Sequence, residues 1–220
     1  MPARKRGFFI TFEGLDGSGK STQFKLLAAR LRVEGFQVTT TREPGGDLLA
    51  EKIRTLLLER ADQSPTPTAE LLLFLAARAQ HVERLIRPAL AAGQVVLCDR
   101  FSDSTLAYQA GGRALPPAAV AAADKLATAG LKPDLTLLYD LPLRQGRERA
   151  FQAKQAHDRM ESEPSAFWQA VRQAYRGLAR REPRRIALIR SDRPLAAVTR
   201  QTWQVVQKKM AVMKERCRAV

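Results

Sequence analysis

Cysteine, histidine and long apolar runs are scarce in this chain. Its 220 residues include two cysteines and two histidines, with Cys98 inside an apolar run and Cys217 near the end. We therefore expect neither a disulfide framework nor a zinc site. No apolar run approaches the roughly 20 residues that cross a bilayer, and the basic start, residues 1–6, lacks the apolar stretch of a secretory signal. The sequence thus predicts a cytoplasmic protein without a membrane span.

Acidic residues are also few compared with basic ones. The net charge is +15, and residues 141–220 hold 19 Lys and Arg against 7 Asp and Glu. This excess could mark a face that binds nucleic acid, or arginines that bind a small polyanion such as a nucleotide. A basic stripe with interleaved aromatics is missing, because the Arg180-Arg181 and Arg184-Arg185 pairs have only Trp168 and Tyr175 as the nearest aromatics. We expect small-molecule partners and do not expect nucleic acid.

What the sequence does contain is a regular alternation of strand and helix patterns. Short apolar runs predict five strands, at 8–12, 37–41, 95–98, 135–139 and 186–189. Helical spacing predicts helices from Lys20 to before Gly35 and at 48–58, 68–91, 118–128, 142–155, 164–181 and 195–216. Gly111-Gly112 and Pro116-Pro117 predict breaks in the middle of the chain. This alternation implies an α/β fold with a parallel sheet covered by helices on both faces, in a single domain, 1–220.

Residues 14–21 form a glycine-rich loop between the first strand and the first helix. Gly14-Leu15-Asp16-Gly17-Ser18-Gly19-Lys20-Ser21 matches G-x-x-x-x-G-K-[ST] in the strand–loop–helix context that this motif requires. Glycines let successive N–H groups turn toward phosphate oxygens, and the helix start adds unpaired N–H groups. Lys20 can reach the β- and γ-phosphates. We therefore expect the residues from Gly14 to Thr22 to bind ATP.

A strand-end carboxylate predicts the metal site. The apolar run at 95–98 is followed by Asp99, and in P-loop proteins such an aspartate commonly completes the environment of Mg²⁺. The hydroxyl of Ser21 can ligate the same ion, and ligands gather at the carboxyl ends of parallel strands. Ser21 and Asp99 are therefore the predicted metal ligands.

Four further segments narrow the class of enzyme. They are 41–46 (TREPGG), 70–81 (ELLLFLAARAQH), 99–109 (DRFSDSTLAYQ) and 158–161 (DRME). Together with the loop they resemble the thymidylate kinase family over nearly the whole chain, and DRF-x-x-ST-x-AYQ is the most specific stretch. The resemblance implies a P-loop nucleotide kinase fold with a five-stranded parallel sheet. It also implies transfer of the ATP γ-phosphate to dTMP, giving dTDP and ADP, with Mg²⁺, by a homodimer packed through helices.

The resemblance assigns residues to the dTMP pocket. Phe74 would stack on thymine, although by pattern alone it could equally be a core residue, and Arg78, one turn further on, would hydrogen-bond the base. Arg100 would clamp the dTMP phosphate, and Tyr108 would lie against the sugar and disfavour a 2′-hydroxyl. The remaining predicted contacts are Ser104 and Gln109 to the base, and Glu13 and Glu43 in support of the pocket, although Glu43 could instead be a plain turn residue. Asp16 would accept from the 3′-hydroxyl or orient a nearby arginine and Mg²⁺.

Phosphoryl transfer also needs positive charge over the migrating group. One branch of the family carries an arginine in the loop where this chain has Gly17. The chain therefore resembles the other, bacterial-type branch, in which a lid over ATP carries the basic residues. We expect the lid at about 143–157, with Arg147, Arg149 and Lys154 as candidates and Arg149 favoured, and Arg159 as a contact for ATP phosphates. The predicted catalytic residues are Lys20, Arg100, Arg149 and Asp16.

Two other functions stay open at the level of sequence. A different nucleoside monophosphate kinase, or a deoxynucleoside kinase, would share the loop, and assays with each nucleotide would separate them. A nucleic-acid-binding ATPase would fit the +15 charge. That alternative predicts DNA-stimulated ATP hydrolysis without dTMP.

Overall fold

The computed structural model describes residues 6–59, 64–153 and 163–216. Five parallel strands form one sheet in the order β2-β3-β1-β4-β5, which confirms the predicted sheet. The strands are β1 (Phe8–Glu13), β2 (Val38–Arg42), β3 (Val95–Asp99), β4 (Leu135–Asp140) and β5 (Ile186–Arg190). Each strand ends one residue later than its apolar run predicts, and each of those last residues is charged. The sheet therefore presents charged side chains along its carboxyl edge.

Helices follow the strands throughout the described chain. They are α1 (Lys20–Val33), α2 (Leu48–Leu58), α3 (Pro67–His81), α4 (Arg87–Ala91), α5 (Ser102–Thr105), α6 (Pro117–Ala127), α7 (Leu143–Ala153), α8 (Ser165–Arg181) and α9 (Leu195–Arg216). None of the helices within the described ranges is both long enough and apolar enough to cross a membrane.

Helices cover both faces of the sheet. In β1, Ile10 and Phe12 are fully buried in a cluster with Leu31 of α1 and Val206 of α9. Phe9 points to the opposite face, where it packs with residues of the α3–α4 region such as Ile86. A central strand that is apolar on both sides fits a buried parallel sheet.

The single long helix predicted at 68–91 is interrupted. A π-helical turn, Val82–Ile86, separates α3 from α4. Pro88 lies in the first turn of α4 and cannot donate to the carbonyl four residues earlier. The wider turn immediately before it accommodates the proline ring without ending the helical path.

The helical path ends at the glycine pair in the middle of the chain, as predicted. α5 continues into a second π-helical segment, Leu106–Gly112. A Cβ on Gly112 would lie 2.4 Å from the ring of Phe167, and one on Gly111 would lie 2.6 Å from the Cβ of Ala174. These glycines are therefore also needed for close packing against α8.

Candidate active site

The loop after β1 has the backbone geometry of a phosphate cradle. Gly14, Gly17 and Gly19 have φ angles of 132°, 74° and 83°, values that favour glycine. Gly14 is also constrained by space, because a Cβ there would lie 2.3 Å from the carbonyl oxygen of Tyr139. Gly19 is the N-cap of α1 and offers no side-chain cap. The first N–H groups of α1 are thus not capped by Gly19 and can bind an anion.

Lys20 folds back over this loop. Its ammonium group donates to the carbonyl oxygen of Leu15 at 3.0 Å and lies 3.7 Å from Asp16. Burial, and then the nearby Arg100, lower the pKa of Lys20. The structure therefore holds a desolvated cation against the loop that is predicted to bind phosphates.

The predicted metal ligands lie on the same cavity. Ser21 and Asp99 both line it. One carboxylate oxygen of Asp99 is buried and has no hydrogen-bond partner among the described residues. Carboxylate and hydroxyl oxygens are the ligands that Mg²⁺ prefers, so the residues present fit this ion.

A cavity of about 280 Å³ opens beside the loop at the carboxyl edge of the sheet. Ten of the residues predicted from sequence line this single cavity: Asp16, Ser21, Glu43, Phe74, Arg78, Asp99, Arg100, Ser104, Tyr108 and Gln109. They come from four segments of the chain, 14–21, 41–46, 70–81 and 99–109. The structure therefore brings together residues that were predicted separately to bind the acceptor and the metal.

Arg100 lies between the phosphate loop and the cavity. Its Nη2 donates to Asp16 at 2.7 Å and its Nη1 to Ser104 at 3.4 Å. The guanidinium also lies over the ring of Tyr108, 5.2 Å from its centroid. A cation held by a carboxylate, a hydroxyl and a ring face is oriented before any anion arrives.

Glu13 lies beneath this arginine and is fully buried. Its carboxylate accepts from the N–H of Phe101 at 2.8 Å, from Ser104 at 2.6 Å and from the hydroxyl of Tyr175 at 2.8 Å. Burial, followed by the charge of Asp103, raises the pKa of Glu13 to about 7. Glu13 thus fixes the backbone and side chains that flank Arg100.

Arg78 is buried within a polar cluster on the far wall of the cavity. It donates to Glu43 at 2.7 Å, to Thr105 at 2.7 Å and to Asp124 at 2.6 Å. His81 contacts the other oxygen of Glu43 at 3.0 Å. Arg78 lies on an otherwise apolar helix and is not solvated. The carboxylates of Glu43 and Asp124 compensate the cost of burying its charge. Phe74, one turn earlier, is half-buried and lines the cavity.

The helix α7, which begins the predicted lid, packs on the phosphate loop. A Cβ on Gly17 would lie 2.1 Å from the carbonyl oxygen of Gly146 and 3.0 Å from the backbone nitrogen of Ala150. Arg149, between these two contacts in sequence, donates to the carbonyl oxygen of Ser191 at 3.2 Å. Arg147 is exposed on the same helix. Lys154, Arg159 and residues 154–157 of the predicted lid lie outside the described residues.

Several residues that line the cavity were missed by the sequence analysis. They are Arg42, Pro44, Arg54, Leu58, Thr105 and Trp168. Arg42, Pro44 and Thr105 had a signal in the sequence, because they belong to the segments 41–46 and 99–109. Arg54 had none, because surface arginines are common without a site.

The fold and the loop together define the class of enzyme. A parallel sheet with a G-x-x-x-x-G-K-S loop after its central strand, and an arginine-lined cavity at the same edge, is the arrangement of a P-loop nucleotide kinase.

Comparison with known proteins names the family. The family described as thymidylate kinase matches residues 12–202. A thymidylate kinase of Pseudomonas putida (strain W619) is 52% identical over 210 residues, which cover 96% of this chain and 99% of that protein. One from Pseudomonas entomophila is 50% identical over 212 residues, with the same coverage. The crystal structure of thymidylate kinase from Ehrlichia chaffeensis aligns with a TM-score of 0.74 at 35% identity, over 92% of this chain and 99% of that one.

The chain belongs to the thymidylate kinase family, and the predicted family and fold are confirmed. It is a nucleoside monophosphate kinase of the family that phosphorylates dTMP to dTDP, with ATP as the phosphoryl donor and Mg²⁺. The reaction and cofactors expected from the sequence agree with this assignment.

Proposed function

We propose that the cavity at the carboxyl edge of the sheet binds dTMP and that the loop from Gly14 to Thr22 binds ATP, so that the γ-phosphate passes directly between them. One observation carries this proposal: ten residues predicted from motifs line one cavity beside the loop. Asp16 belongs to both sites, since it is part of the loop and is bonded to Arg100.

The phosphate of dTMP is assigned to the end of the cavity at Arg100. Its guanidinium offers two donors to a phosphate, and Arg42 and Arg54 add positive charge on the same cavity. Asp16, 2.7 Å from Arg100, is the acceptor for the 3′-hydroxyl. Tyr108 faces Arg100 with its ring and lies beside the sugar.

The thymine base is assigned to the opposite end. The half-buried ring of Phe74 is available for stacking, and Arg78, held by Glu43 and Asp124, supplies a donor to a base carbonyl. Gln109 and Ser104 line the same cavity. Glu13 and Glu43 act as supports, since each is buried and bonded to a residue that contacts the substrate in this assignment.

On the donor side, this chain's residues bind and orient the phosphates. The N–H groups of the loop and of the start of α1 surround them, and Lys20 exchanges its contact with Leu15 for the β- and γ-phosphates. Ser21 and Asp99 would hold Mg²⁺, which neutralises phosphate charge when bound. Arg149 and the rest of the lid, 143–157, supply positive charge over the migrating group and exclude water.

A substrate panel tests this assignment. Purified protein is assayed with ATP and Mg²⁺ against dTMP, dCMP, dUMP and AMP, and kcat/KM is expected to be highest for dTMP. Activity on dCMP or AMP equal to that on dTMP would contradict the base assignment. DNA-stimulated ATP hydrolysis without dTMP would instead favour the nucleic-acid-binding alternative.

We further propose that the chain forms a single domain, 1–220, that pairs as a homodimer in the cytoplasm and does not bind nucleic acid. Exposed leucines support the dimer: Leu49 and Leu56 on α2, Leu72 on α3 and Leu126 on α6 are 40% exposed or more. These helices neighbour one another, α2 against α3 and α3 against α6. Exposed leucines on adjacent helices are the kind of side chains that an interface between protomers covers.

A further inference from the structure

Glu70 lies behind the wall of the proposed base pocket and bonds to a residue of that wall. It belongs to the first turn of α3 and is fully buried. Its Oε1 accepts from the Nε2 of Gln109 at 3.1 Å. Gln109 is itself 2% exposed and lines the cavity. A buried carboxylate thus contacts the amide that would read the base.

Arg113 keeps this carboxylate charged. Its Nε donates to Oε1 of Glu70 at 3.1 Å and its Nη2 to Oε2 at 3.0 Å. Arg113 is in turn held by Glu163 at 2.6 Å and lies over the ring of Phe167. A carboxylate paired with a guanidinium in this way is ionised and can only accept hydrogen bonds.

The amide of Gln109 consequently has one allowed orientation. If it turned over, its carbonyl oxygen would face the Oε1 of Glu70, and two buried acceptors would oppose each other without a proton between them. The NH₂ group must point to Glu70. The carbonyl oxygen is then the amide atom left for the cavity, where it can only accept.

A cavity-facing acceptor distinguishes pyrimidine bases. Thymine carries a hydrogen on N3 and can donate to this oxygen, whereas the N3 of cytosine carries none and is itself an acceptor. Arg78 reinforces the distinction, since its donors suit the C4 carbonyl of thymine and oppose the C4 amino group of cytosine.

We propose that Glu70 is a positioning residue for base specificity: by fixing the amide of Gln109 through a charged hydrogen bond, it selects thymine over cytosine without touching the substrate. The inference rests on the dTMP pocket proposed above. It assigns to Glu70 and Arg113 a role in discrimination beyond packing.

The Glu70→Gln variant tests the inference because it keeps the size and removes the fixed acceptor. Because Arg113 donates to both oxygens of Glu70, the carbonyl of the new glutamine can take either position, and in one of them its NH₂ group faces Gln109. Gln109 is then no longer held in one orientation and can present its own NH₂ to the cavity, where it suits the N3 acceptor of cytosine. We expect kcat/KM for dCMP to rise about tenfold or more, kcat/KM for dTMP to fall only a few-fold, and the ratio of dTMP to dCMP to fall at least tenfold.

Glu163→Gln is the matched control. It makes the same chemical change in a second carboxylate that bonds Arg113, but Glu163 is not bonded to Gln109 among the contacts of the described residues. Its dTMP/dCMP ratio should stay within about threefold of the wild type. An equal fall in both variants, or an equal loss of both substrates in Glu70→Gln, would show that Glu70 only supports the fold and would overturn the inference.

A rescue separates orientation from packing. In the double variant Glu70→Gln/Gln109→Glu, the carboxylate at 109 has no donor to present, so an acceptor faces the N3 hydrogen again. The dTMP/dCMP ratio should recover at least tenfold over Glu70→Gln alone; no recovery counts against the inference. Should Glu70→Gln fail to fold, Arg113→Met gives a second test: without the cation, Glu70 is no longer restricted to accepting, Gln109 can take either orientation, and the ratio should again fall.

Gln109→Ala distinguishes failure of this inference from failure of the pocket. If Gln109→Ala leaves kcat/KM for dTMP unchanged, Gln109 does not read the base, and both the pocket assignment and the inference are wrong. If Gln109→Ala loses dTMP activity while Glu70→Gln keeps the wild-type ratio, the pocket stands and the role of Glu70 is refuted.

Discussion

At the scale of single residues, Arg100 illustrates how the site is held in place. Its φ angle is 71°, a left-handed conformation that costs a residue with a side chain about 1 kcal/mol or more. Its N–H donates to Phe12 at 2.9 Å and its carbonyl accepts from the thiol of Cys98 at 3.0 Å. With Asp16 holding the guanidinium, the contacts on both ends of the residue maintain the strained backbone.

The pKa of Glu13 gives a pH prediction. Because burial raises it to about 7, Glu13 is protonated below that pH and loses acceptor capacity for the donors that flank Arg100. We expect kcat/KM for dTMP to fall on a one-proton limb below about pH 7. The limb should be missing in Glu13→Gln, whose remaining pH dependence would reflect the second ionisation of the dTMP phosphate near pH 6.

The Tyr175→Phe variant tests whether Glu13 is the group that titrates. The hydroxyl of Tyr175 donates to Glu13 and thereby lowers the carboxyl pKa. Its removal should move the limb to higher pH. A limb that stays in place, or moves down, would mean that another group titrates.

Lys20 gives a prediction about catalysis. Lys20→Ala should lower kcat at least about 100-fold, because the charge on the β- and γ-phosphates is lost. The Kd for dTMP, measured by calorimetry, should change only a few-fold, since Lys20 bonds the phosphate loop and not the base end of the cavity. Lys25→Ala, an exposed lysine on the same helix, is the control and should retain wild-type turnover. Unchanged kcat in Lys20→Ala would refute the role of the loop.

At the scale of elements, the contact of α7 with the phosphate loop depends on backbone meeting backbone. Gly17 and Gly146 come so close that no side chain fits at 17. A loop arginine at this position would displace α7 from where it lies. Because position 17 has no side chain, α7 can pack on the loop and carry the basic residues that the loop lacks.

A pair of glycine variants tests this contact without nucleotide. Gly17→Ala and Gly19→Ala introduce similar backbone strain, since both φ angles are positive, but a Cβ at 19 meets nothing within 4 Å. Only Gly17→Ala should push α7 off the loop. We expect amide hydrogen exchange in 143–153 to rise at least tenfold in Gly17→Ala and to stay near the wild-type rate in Gly19→Ala. Equal exchange in the two variants would show that the contact does not hold α7.

At the scale of the whole molecule, the exposed leucines of α2, α3 and α6 predict self-association. Leu72→Glu places a charge at a residue that is 57% exposed, where burial in an interface would cost several kcal/mol. Sedimentation velocity should give a dimer for the wild type and a monomer for Leu72→Glu. Val33→Glu, at an 84% exposed residue on α1, should stay dimeric. A monomeric wild type would contradict the proposed homodimer.

Sequence patterns predicted the sheet and the phosphate loop, and the family resemblance predicted most of the cavity wall. The sheet and the loop have local causes: apolar runs form strands, glycines permit positive φ, and parallel strands end at one edge. Gly14 to Ser21, Asp99 and the residues of 99–109 could therefore be placed from the sequence. The π-helical turns could not, because they respond to close packing, as Gly112 does against Phe167.

Only the tertiary structure decided how the wall residues are oriented. Glu13 meets Tyr175 across 162 positions, Arg78 meets Asp124 across 46 and Gln109 meets Glu70 across 39. No local pattern records such pairs, because burial of a polar group specifies that it needs a partner but not which one. The sequence by itself predicted which residues form the loop and the cavity; the fold decided which carboxylates and hydroxyls hold those residues, and so which atoms face the cavity.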